Sequence, residues 1–197
     1  MKIINLTSNS NVYTSNAYLV LGTWNTLDDV NCLVDVGRDE DIIKAIYSAS
    51  TGVGKKRIEQ VVITHSHYDH AGMLGAIRKE FNPRVMAFTK NLHGVNQVLH
   101  DGQKIIMGDR EFEVIHVTAH SNDSICLLGF EDKVLFSGDT PLKIMTSDIT
   151  YEPAYINFLK RLISVGVKTI YPGHGPAITT GCKEMLKKSL ENASKHH

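Results

Sequence analysis

Short apolar runs that end at glycine or at polar turns dominate the first part of the chain. The segments VYTSNAYLVLG and NCLVDVG are rich in β-branched residues and each ends at a glycine, so they predict strands. Residues 39–50, DEDIIKAIYSAS, instead place Ile42, Ile43 and Ile46 at helical spacing behind acidic residues that suit a first turn. The pattern therefore predicts strands that are followed by a helix.

A β-α-β unit comes next along the chain. The run QVVITH predicts a buried strand, HAGMLGAIRKEF predicts a helix, and RVMAF predicts a second strand. The unit places residues 65–70, HSHYDH, at the C-terminal end of a strand. In open α/β sheets that end is where ligands bind.

The second half predicts a meander of strands and then more helices. The runs QKIIMGDREFEVIHV, SICLLGFE and KVLFSGD have turn residues between them, and KTIYPGHG predicts a strand that enters a glycine-bounded loop. Residues 153–165 and 181–193 predict helices, the first beginning at Pro153. No repeat or linker divides the sequence. We therefore expect one domain over residues 1–197, with two sheets between helical layers.

Charge, cysteine content and the lengths of the apolar runs bear on the possible partners and on the cellular compartment. Lys and Arg together number 21, as do Asp and Glu, so a basic surface for nucleic acid is not expected. The three cysteines include no C-x-x-C pair, which argues against a disulfide framework and favours a reducing compartment. No apolar run resembles a signal peptide or approaches the roughly 20 residues of a membrane helix. We expect a cytoplasmic protein with a small-molecule substrate and no membrane or nucleic-acid partner.

The terminal His196 and His197 are compatible with a purification tag as well as with a native terminus, so they are excluded from the site. The oligomeric state does not follow from the pattern.

Histidine and aspartate are concentrated in HSHYDH. On a tight turn, His65 and His67 would point to one side and Asp69 and His70 to the other, which makes two incomplete metal sites. Three later side chains, each at the end of a predicted strand, could complete them. The predicted sets are His65, His67 and His120 for one ion, and Asp69, His70 and His174 for the other, with Asp139 bridging both.

The ordered set H-x-H-x-D-H, a downstream histidine, S-G-D and G-H-G resembles the metallo-β-lactamase superfamily of hydrolases. The resemblance implies a four-layer αββα sandwich. It also implies that Asp35, in LVDVG, supports the metal-binding turn without ligating an ion. One segment departs from the family pattern. Where relatives often have Pro-Gly before the third histidine and Thr-Pro-Gly after it, this chain reads TAHSND over residues 118–123.

Two divalent ions would activate a shared water as a bridging hydroxide. Zn²⁺ is the expected ion, with iron or manganese as alternatives. Asp69 is the predicted catalytic residue, because it could both ligate an ion and orient that hydroxide. The expected reaction is hydrolysis of a small thioester, lactone or ester. The aspartate at position 139 resembles the glyoxalase II and lactonase branch, but only 23 residues follow His174, too few for the helical region with which glyoxalase II binds glutathione.

Other reactions are compatible with parts of the same set of predicted metal ligands. Persulfide dioxygenases resemble this fold and hold one iron on residues that correspond to His65, His120 and Asp139. Phosphodiester and β-lactam hydrolysis are less favoured, the latter because the common antibiotic-hydrolysing class has a cysteine near the position of Asp139. A metal-binding protein without catalysis is a third possibility.

Three further residues have weaker signals. His116 lies on the strand before the His120 loop, where it is either a hydrogen-bonding support or a packed strand residue. Lys143 and Tyr151 lie in the loop TPLKIMTSDITYEP after Asp139 and are candidates for contacts with the substrate or its oxyanion.

Overall fold

Residues 1–195, the part of the chain that the computed structural model describes, form eleven strands and five helices. His196 and His197, the residues of the tag hypothesis, lie outside it. The strands are β1 (Lys2–Asn5), β2 (Tyr18–Leu21), β3 (Cys32–Val34), β4 (Gln60–Ile63), β5 (Arg84–Ala87), β6 (Gln97–Val98), β7 (Lys104–Met107), β8 (Arg110–His116), β9 (Ile125–Gly129), β10 (Val134–Gly138) and β11 (Thr169–Pro172). The helices are α1 (Ile42–Ser48), α2 (Tyr68–Ala71), α3 (Leu74–Phe81), α4 (Pro153–Val165) and α5 (Cys182–Ala193).

The strands form two sheets. One sheet has β1 to β6 in chain order, and the other has the order β11-β10-β9-β8-β7. In the first sheet β1, β2 and β3 are antiparallel, whereas β3 to β6 run parallel, with α1, α2 and α3 in the crossover connections. The second sheet is an antiparallel meander except for the parallel pair of β10 and β11. The predicted β-α-β unit and the predicted meander therefore lie in different sheets.

Three apolar layers hold these elements together. Strand residues alternate between them: Val61 and Ile63 pack against the helices of the first half, whereas Val62 faces the other sheet. Phe112 and Phe136 pack between the two sheets. A third cluster joins the second sheet to α4 and α5, and includes Leu128, Leu135, Leu159 and Leu186. The order of layers is helix, sheet, sheet, helix, so the predicted αββα sandwich is confirmed.

The helix predicted after the metal-binding turn divides into two short helices, α2 and α3. Gly72 lies at the break, where a Cβ would come within 2.7 Å of the Tyr68 carbonyl oxygen and 2.9 Å of the Arg38 Cβ. The chain packs too closely there for any larger residue. The short first helix carries Asp69 and His70, so its direction is set separately from that of α3.

The strand predicted over VYTSNAYLVLG is shorter than expected, because only Tyr18–Leu21 pairs in the sheet. The preceding segment bonds to the loops at the end of the sandwich instead. The Ser15 N–H donates to the Asp69 carbonyl oxygen at 3.0 Å, and the Asn16 N–H donates to the Gly173 carbonyl oxygen at 2.7 Å. Within residues 1–195, no helix has the length and apolar character needed to cross a membrane.

Candidate metal centre

All seven predicted ligands follow the C-terminal ends of strands at one edge of the sandwich. The HSHYDH turn follows β4, the His120 loop follows β8, Asp139 follows β10 directly, and His174 follows β11. Residues that are distant in the chain therefore meet at one place, as the strand-end pattern predicts. Ligand atoms of these side chains form three overlapping groups, each with its atoms within 4.8 Å of one another.

The first half-site consists of His65, His67 and His120. His65 is buried, with 2% of its surface exposed, whereas His67 and His120 are exposed. The Nε2 of His120 lies 3.1 Å from the Nδ1 of His67. Two neutral imidazoles whose ring nitrogens face each other at this distance could each offer a lone pair to the same cation.

The second half-site consists of Asp69, His70 and His174. His70 is completely buried, and the His174 Nε2 lies 3.1 Å from the Asp69 Oδ2. This half-site therefore lies deeper in the molecule than the first one.

Asp139 lies between the two half-sites. Its Oδ1 is 3.2 Å from the His70 Nε2, and its Oδ2 is 3.5 Å from the His174 Nε2, 3.7 Å from the His120 Nε2 and 3.9 Å from the His65 Nε2. One carboxylate thus faces imidazoles of both sets, which is the position that the bridging prediction requires.

The buried imidazole nitrogens test whether this cluster fits a metal ion. The Nε2 atoms of His65, His70 and His174 are buried, and none of them has a hydrogen-bond partner in the described part of the chain. Buried polar atoms in folded proteins are nearly always hydrogen-bonded. Zinc and iron bind imidazole nitrogens together with carboxylate oxygens, and carboxylate oxygens also suit manganese. The residues therefore fit divalent metal binding.

Charge is distributed unevenly over the cluster. Burial lowers the pKa of His70, but the carboxylates of Asp35 and Asp139 outweigh burial and raise it to about 10. Burial and the neighbouring His70 lower the pKa of His65 to about 4. Burial raises the pKa of Asp139, but His70, His174 and His65 outweigh burial and lower it to about 2. In the metal-free protein, the carboxylates of Asp35 and Asp139 on either side of the ring thus favour the protonated form of His70.

Asp35 holds His70 from the side opposite the ligand cluster. Its Oδ2 lies 2.8 Å from the His70 Nδ1, and it accepts hydrogen bonds from the Thr64 N–H and the Thr64 hydroxyl, both at 2.8 Å. Asp35 itself is buried and has a left-handed backbone, with φ of 58°. Because the carboxylate occupies Nδ1, the Nε2 of His70 is left to face the cluster. This is the supporting position that the sequence resemblance implies.

Gly173, in the PGHG loop, makes the close approach of His174 possible. A Cβ at this position would lie 2.1 Å from the Asp139 Oδ1 and 2.7 Å from the His70 Cε1. Any side chain here would therefore fill the space between the two ligands.

Two residues of the loop before β2 contact the centre and were not predicted. The ring of Tyr13 stacks on His174, with centroids 5.1 Å apart and an interplanar angle of 16°. The Asn16 side chain donates to the carbonyl oxygens of Pro172 and Gly175, both at 2.8 Å, and so braces the loop that carries His174. The apolar pattern assigned this segment to a strand, and no local signal relates it to the PGHG loop.

The remaining sequence candidates lie around the centre. His116 stacks on Phe88, and its Nε2 lies 2.9 Å from the carbonyl oxygen of Asn122, in the His120 loop. Lys143 is exposed, whereas Tyr151 packs against the α4–α5 core and stacks on Tyr155. The roles suggested for these residues stay predictions.

A cavity of about 290 Å³ opens beside the ligands. Its lining residues in the described chain are His120, Gly138, Asp139, Thr140, Pro172 and His174, and they do not include Lys143 or Tyr151. The volume is at the lower end of the range for small-molecule sites.

Comparison with known proteins gives one family match. The model of the metallo-beta-lactamase superfamily matches residues 11–174. Among curated proteins, an atrochrysone carboxyl ACP thioesterase of Aspergillus fumigatus is 27% identical over 157 residues, which cover 74% of this chain and 47% of that protein. A hydroxyacylglutathione hydrolase of Francisella tularensis is 32% identical over 116 residues, covering 58% of this chain and 46% of that protein. The chain spans about half the length of these relatives.

Solved structures share the fold. The BLEG-1 B3 metallo-beta-lactamase superposes with a TM-score of 0.69 at 19% identity, covering 96% of this chain and 97% of that one. Rubredoxin oxygen:oxidoreductase from Desulfovibrio gigas superposes with a TM-score of 0.70 at 21% identity, covering 92% of this chain and 54% of that one. Proteins with names as different as these share the same arrangement of layers, so the fold alone does not identify a reaction.

Proposed function

Because the chain belongs to the metallo-beta-lactamase superfamily, we propose that it is a hydrolase that holds two divalent metal ions and cleaves a small thioester, with lactones and esters as further substrates. One observation carries the proposal. Three buried imidazole nitrogens without hydrogen-bond partners surround a carboxylate that faces both half-sites. Superfamily membership and the names of the relatives support hydrolysis as the reaction class.

Two ions are favoured over one because the second half-site has a full set of its own. Asp69, His70 and His174 form a group that shares no residue with His65, His67 and His120. A single iron on His65, His120 and Asp139, as in a persulfide dioxygenase, would leave the buried Nε2 atoms of His70 and His174 without partners. We propose Zn²⁺ as the native ion, since imidazole and carboxylate ligands suit it.

The thioester is our leading substrate because two of the curated relatives are named as a thioesterase and as a hydroxyacylglutathione hydrolase. The cavity of about 290 Å³ beside Asp139 favours a small acyl group over a bulky one. The cytoplasmic location and the small-molecule partner stay predictions.

Bound divalent ions would act as Lewis acids on a carbonyl oxygen. They would also lower the pKa of water, so that hydroxide is available for attack at neutral pH. The chain's own residues would orient the reactants. The Asp69 carboxylate, partly exposed at the centre, would orient the attacking water and hold its proton. Asp35 would keep the His70 ring in one tautomer, and Tyr13 would limit rotation of His174 at the mouth of the site.

Metal analysis combined with a substrate panel tests the proposal. We expect two equivalents of metal per chain and steady release of thiol from a generic thioester by the metal-loaded protein. The variant Asp69→Ala should lower that rate by about 10²- to 10⁴-fold, the range for loss of a positioned acid–base group. Asp28→Asn, an exposed aspartate before β3 at the opposite edge of the sheet, is the control and should retain full activity.

Two outcomes would contradict the proposal. One iron and no zinc per chain would exclude the dinuclear hydrolase and favour the dioxygenase. Thiol release that is unchanged in Asp69→Ala would show that the centre is not the catalytic site.

A further inference from the structure

The His120 loop runs alongside the metal-binding turn and is attached to it twice. The Ile125 N–H donates to the Thr64 carbonyl oxygen at 2.9 Å, which joins the end of the loop to the end of β4. The Ser66 N–H donates to the Asp123 Oδ2 at 3.0 Å. Because Ser66 lies between His65 and His67, this second bond attaches the loop at the middle of the ligand pair.

Both carboxylate oxygens of Asp123 are engaged. The Ser121 hydroxyl donates to its Oδ1 at 2.8 Å, so one side chain holds the loop that carries His120 and also the backbone between the other two ligands. Burial raises the pKa of Asp123, but the hydrogen bonds from Ser121 and Ser66 outweigh burial and lower it overall. Hydrogen bonds to an ionised carboxylate are stronger than those between neutral groups.

The His65 Nδ1 lies 3.2 Å from the Thr64 hydroxyl, but within residues 1–195 the His67 and His120 rings have no carboxylate support comparable to that of Asp35 on His70. In residues 1–195, the hydrogen bond recorded for the His67 and His120 rings joins them to each other. Their relative position therefore depends on how the two backbone segments are held together. The loop reads TAHSND over residues 118–123, without a proline to restrict its backbone.

We propose that Asp123 is a positioning residue, which sets the His120 loop against the Ser66 amide and so fixes the geometry of the first half-site. Asp123 acts on the backbone that carries the ligands of the first half-site, whereas Asp35 acts directly on the His70 ring of the second. This inference rests on the metal-binding part of the proposed function and not on hydrolysis.

Cobalt titration of the metal-free, full-length protein in competition with a chelator tests the proposal. Two binding events are expected, and the variants His67→Ala and His174→Ala identify which event belongs to which half-site. Asp123→Ala should weaken binding at the first half-site by about 10- to 100-fold, with a changed visible spectrum of its cobalt, and leave the second unchanged. Asp123→Asn keeps one acceptor for Ser66, so its loss should be smaller. Asn122→Ala, an exposed neighbour, is the matched control and should bind both ions normally.

A second readout needs no metal. Exchange of the Ser66 amide hydrogen in the metal-free protein should accelerate in Asp123→Ala but not in Asn122→Ala.

Unchanged cobalt affinities in Asp123→Ala would overturn the proposal, as would equal weakening at both half-sites, since that result indicates a general loss of structure. Should Asp123→Ala fail to fold, the same two criteria apply to Asp123→Asn. A selective cobalt defect in a protein that hydrolyses no thioester would support the role of Asp123 and contradict the hydrolase.

Discussion

The two half-sites differ in burial and in the way that their ligands are held. In the second half-site His70 is fully buried, and its ring is bound on one side by Asp35 and faces Asp139 on the other. In the first half-site His67 and His120 are exposed and meet at the boundary of two loops. His70 is therefore held by the core, whereas His67 and His120 are held by contacts between loops.

This difference has a chemical consequence. A ligand fixed by a buried carboxylate keeps its orientation in the absence of metal, because leaving the carboxylate unpaired in the interior would be costly. Ligands on solvent-facing loops can rearrange at little cost. We therefore expect the second half-site to be preorganised and the first to be the one that loses metal more easily.

The largest expected effect in this comparison follows from removing the charge of Asp35. The variant Asp35→Asn retains the shape of the side chain but cannot accept from both Thr64 and His70 in the same way. Cobalt affinity of the second half-site should fall by about 10- to 100-fold, as measured by chelator competition. The first half-site should be affected much less.

The paired variant Asp123→Ala serves as the reverse control, because it should weaken the first half-site and leave the second intact. If Asp35→Asn weakened both half-sites equally, the two sets would form one cooperative unit and the comparison would fail.

The acid–base behaviour of the metal-free protein should also separate the half-sites. The pKa of His70 is raised from 6.5 to about 10 in the folded state, so its contribution to stability is fully present below pH 6.5 and is lost as the pH rises to about 10. The pKa of His65 is lowered from 6.5 to about 4, so stability is lost as the pH falls from 6.5 to about 4. Each proton changes the free energy of unfolding by at most about 1.4 kcal/mol per pH unit.

Urea unfolding of the chelator-treated protein from pH 4 to 10 measures the loss of stability on both the acid and the alkaline side. A maximum near pH 6.5 is expected, and in Asp35→Asn the alkaline decline should end at a lower pH and be smaller in total, because part of the charge that raises the pKa of His70 is gone. A free energy of unfolding that stays flat from pH 6.5 to 10 would show that His70 is neutral in the metal-free state.

The seven candidate ligand residues could be predicted to lie together because both residue type and chain position are informative there. Apolar runs such as QVVI mark buried strands, and the residue after such a run lies at a sheet edge. Helix α4 was predicted with its observed bounds, Pro153–Val165, because proline marks its start and its apolar stripe has helical spacing. Local patterns of this kind depend only on neighbours in the chain.

Contacts between distant loops could not be predicted in the same way. Ser66 and Asp123 are 57 positions apart, and Asn16 and Pro172 are 156 apart, so nothing in either local pattern relates the partners. The break at Gly72 has a similar origin, since it depends on the approach of Arg38 from another segment. The clustering of the seven predicted ligand residues could thus be expected from the sequence, whereas the contacts that orient their side chains required the packed structure.

The smallest expected effect concerns Tyr13, which supports the second half-site from the solvent side. Its ring stacks on His174 but is 69% exposed, so the contact excludes water from one face of the imidazole only. Aromatic pairs contribute about 0.5–1.5 kcal/mol beyond area burial, which corresponds to about a two- to tenfold loss of metal affinity in Tyr13→Ala. Tyr13→Phe keeps the ring and should retain wild-type affinity in the same cobalt titration. The effect should remain small because Asn16 still braces the His174 loop through the carbonyl oxygens of Pro172 and Gly175. A loss of affinity confined to the first half-site, or an equal loss in the Phe variant, would mean that stacking on His174 is not the cause.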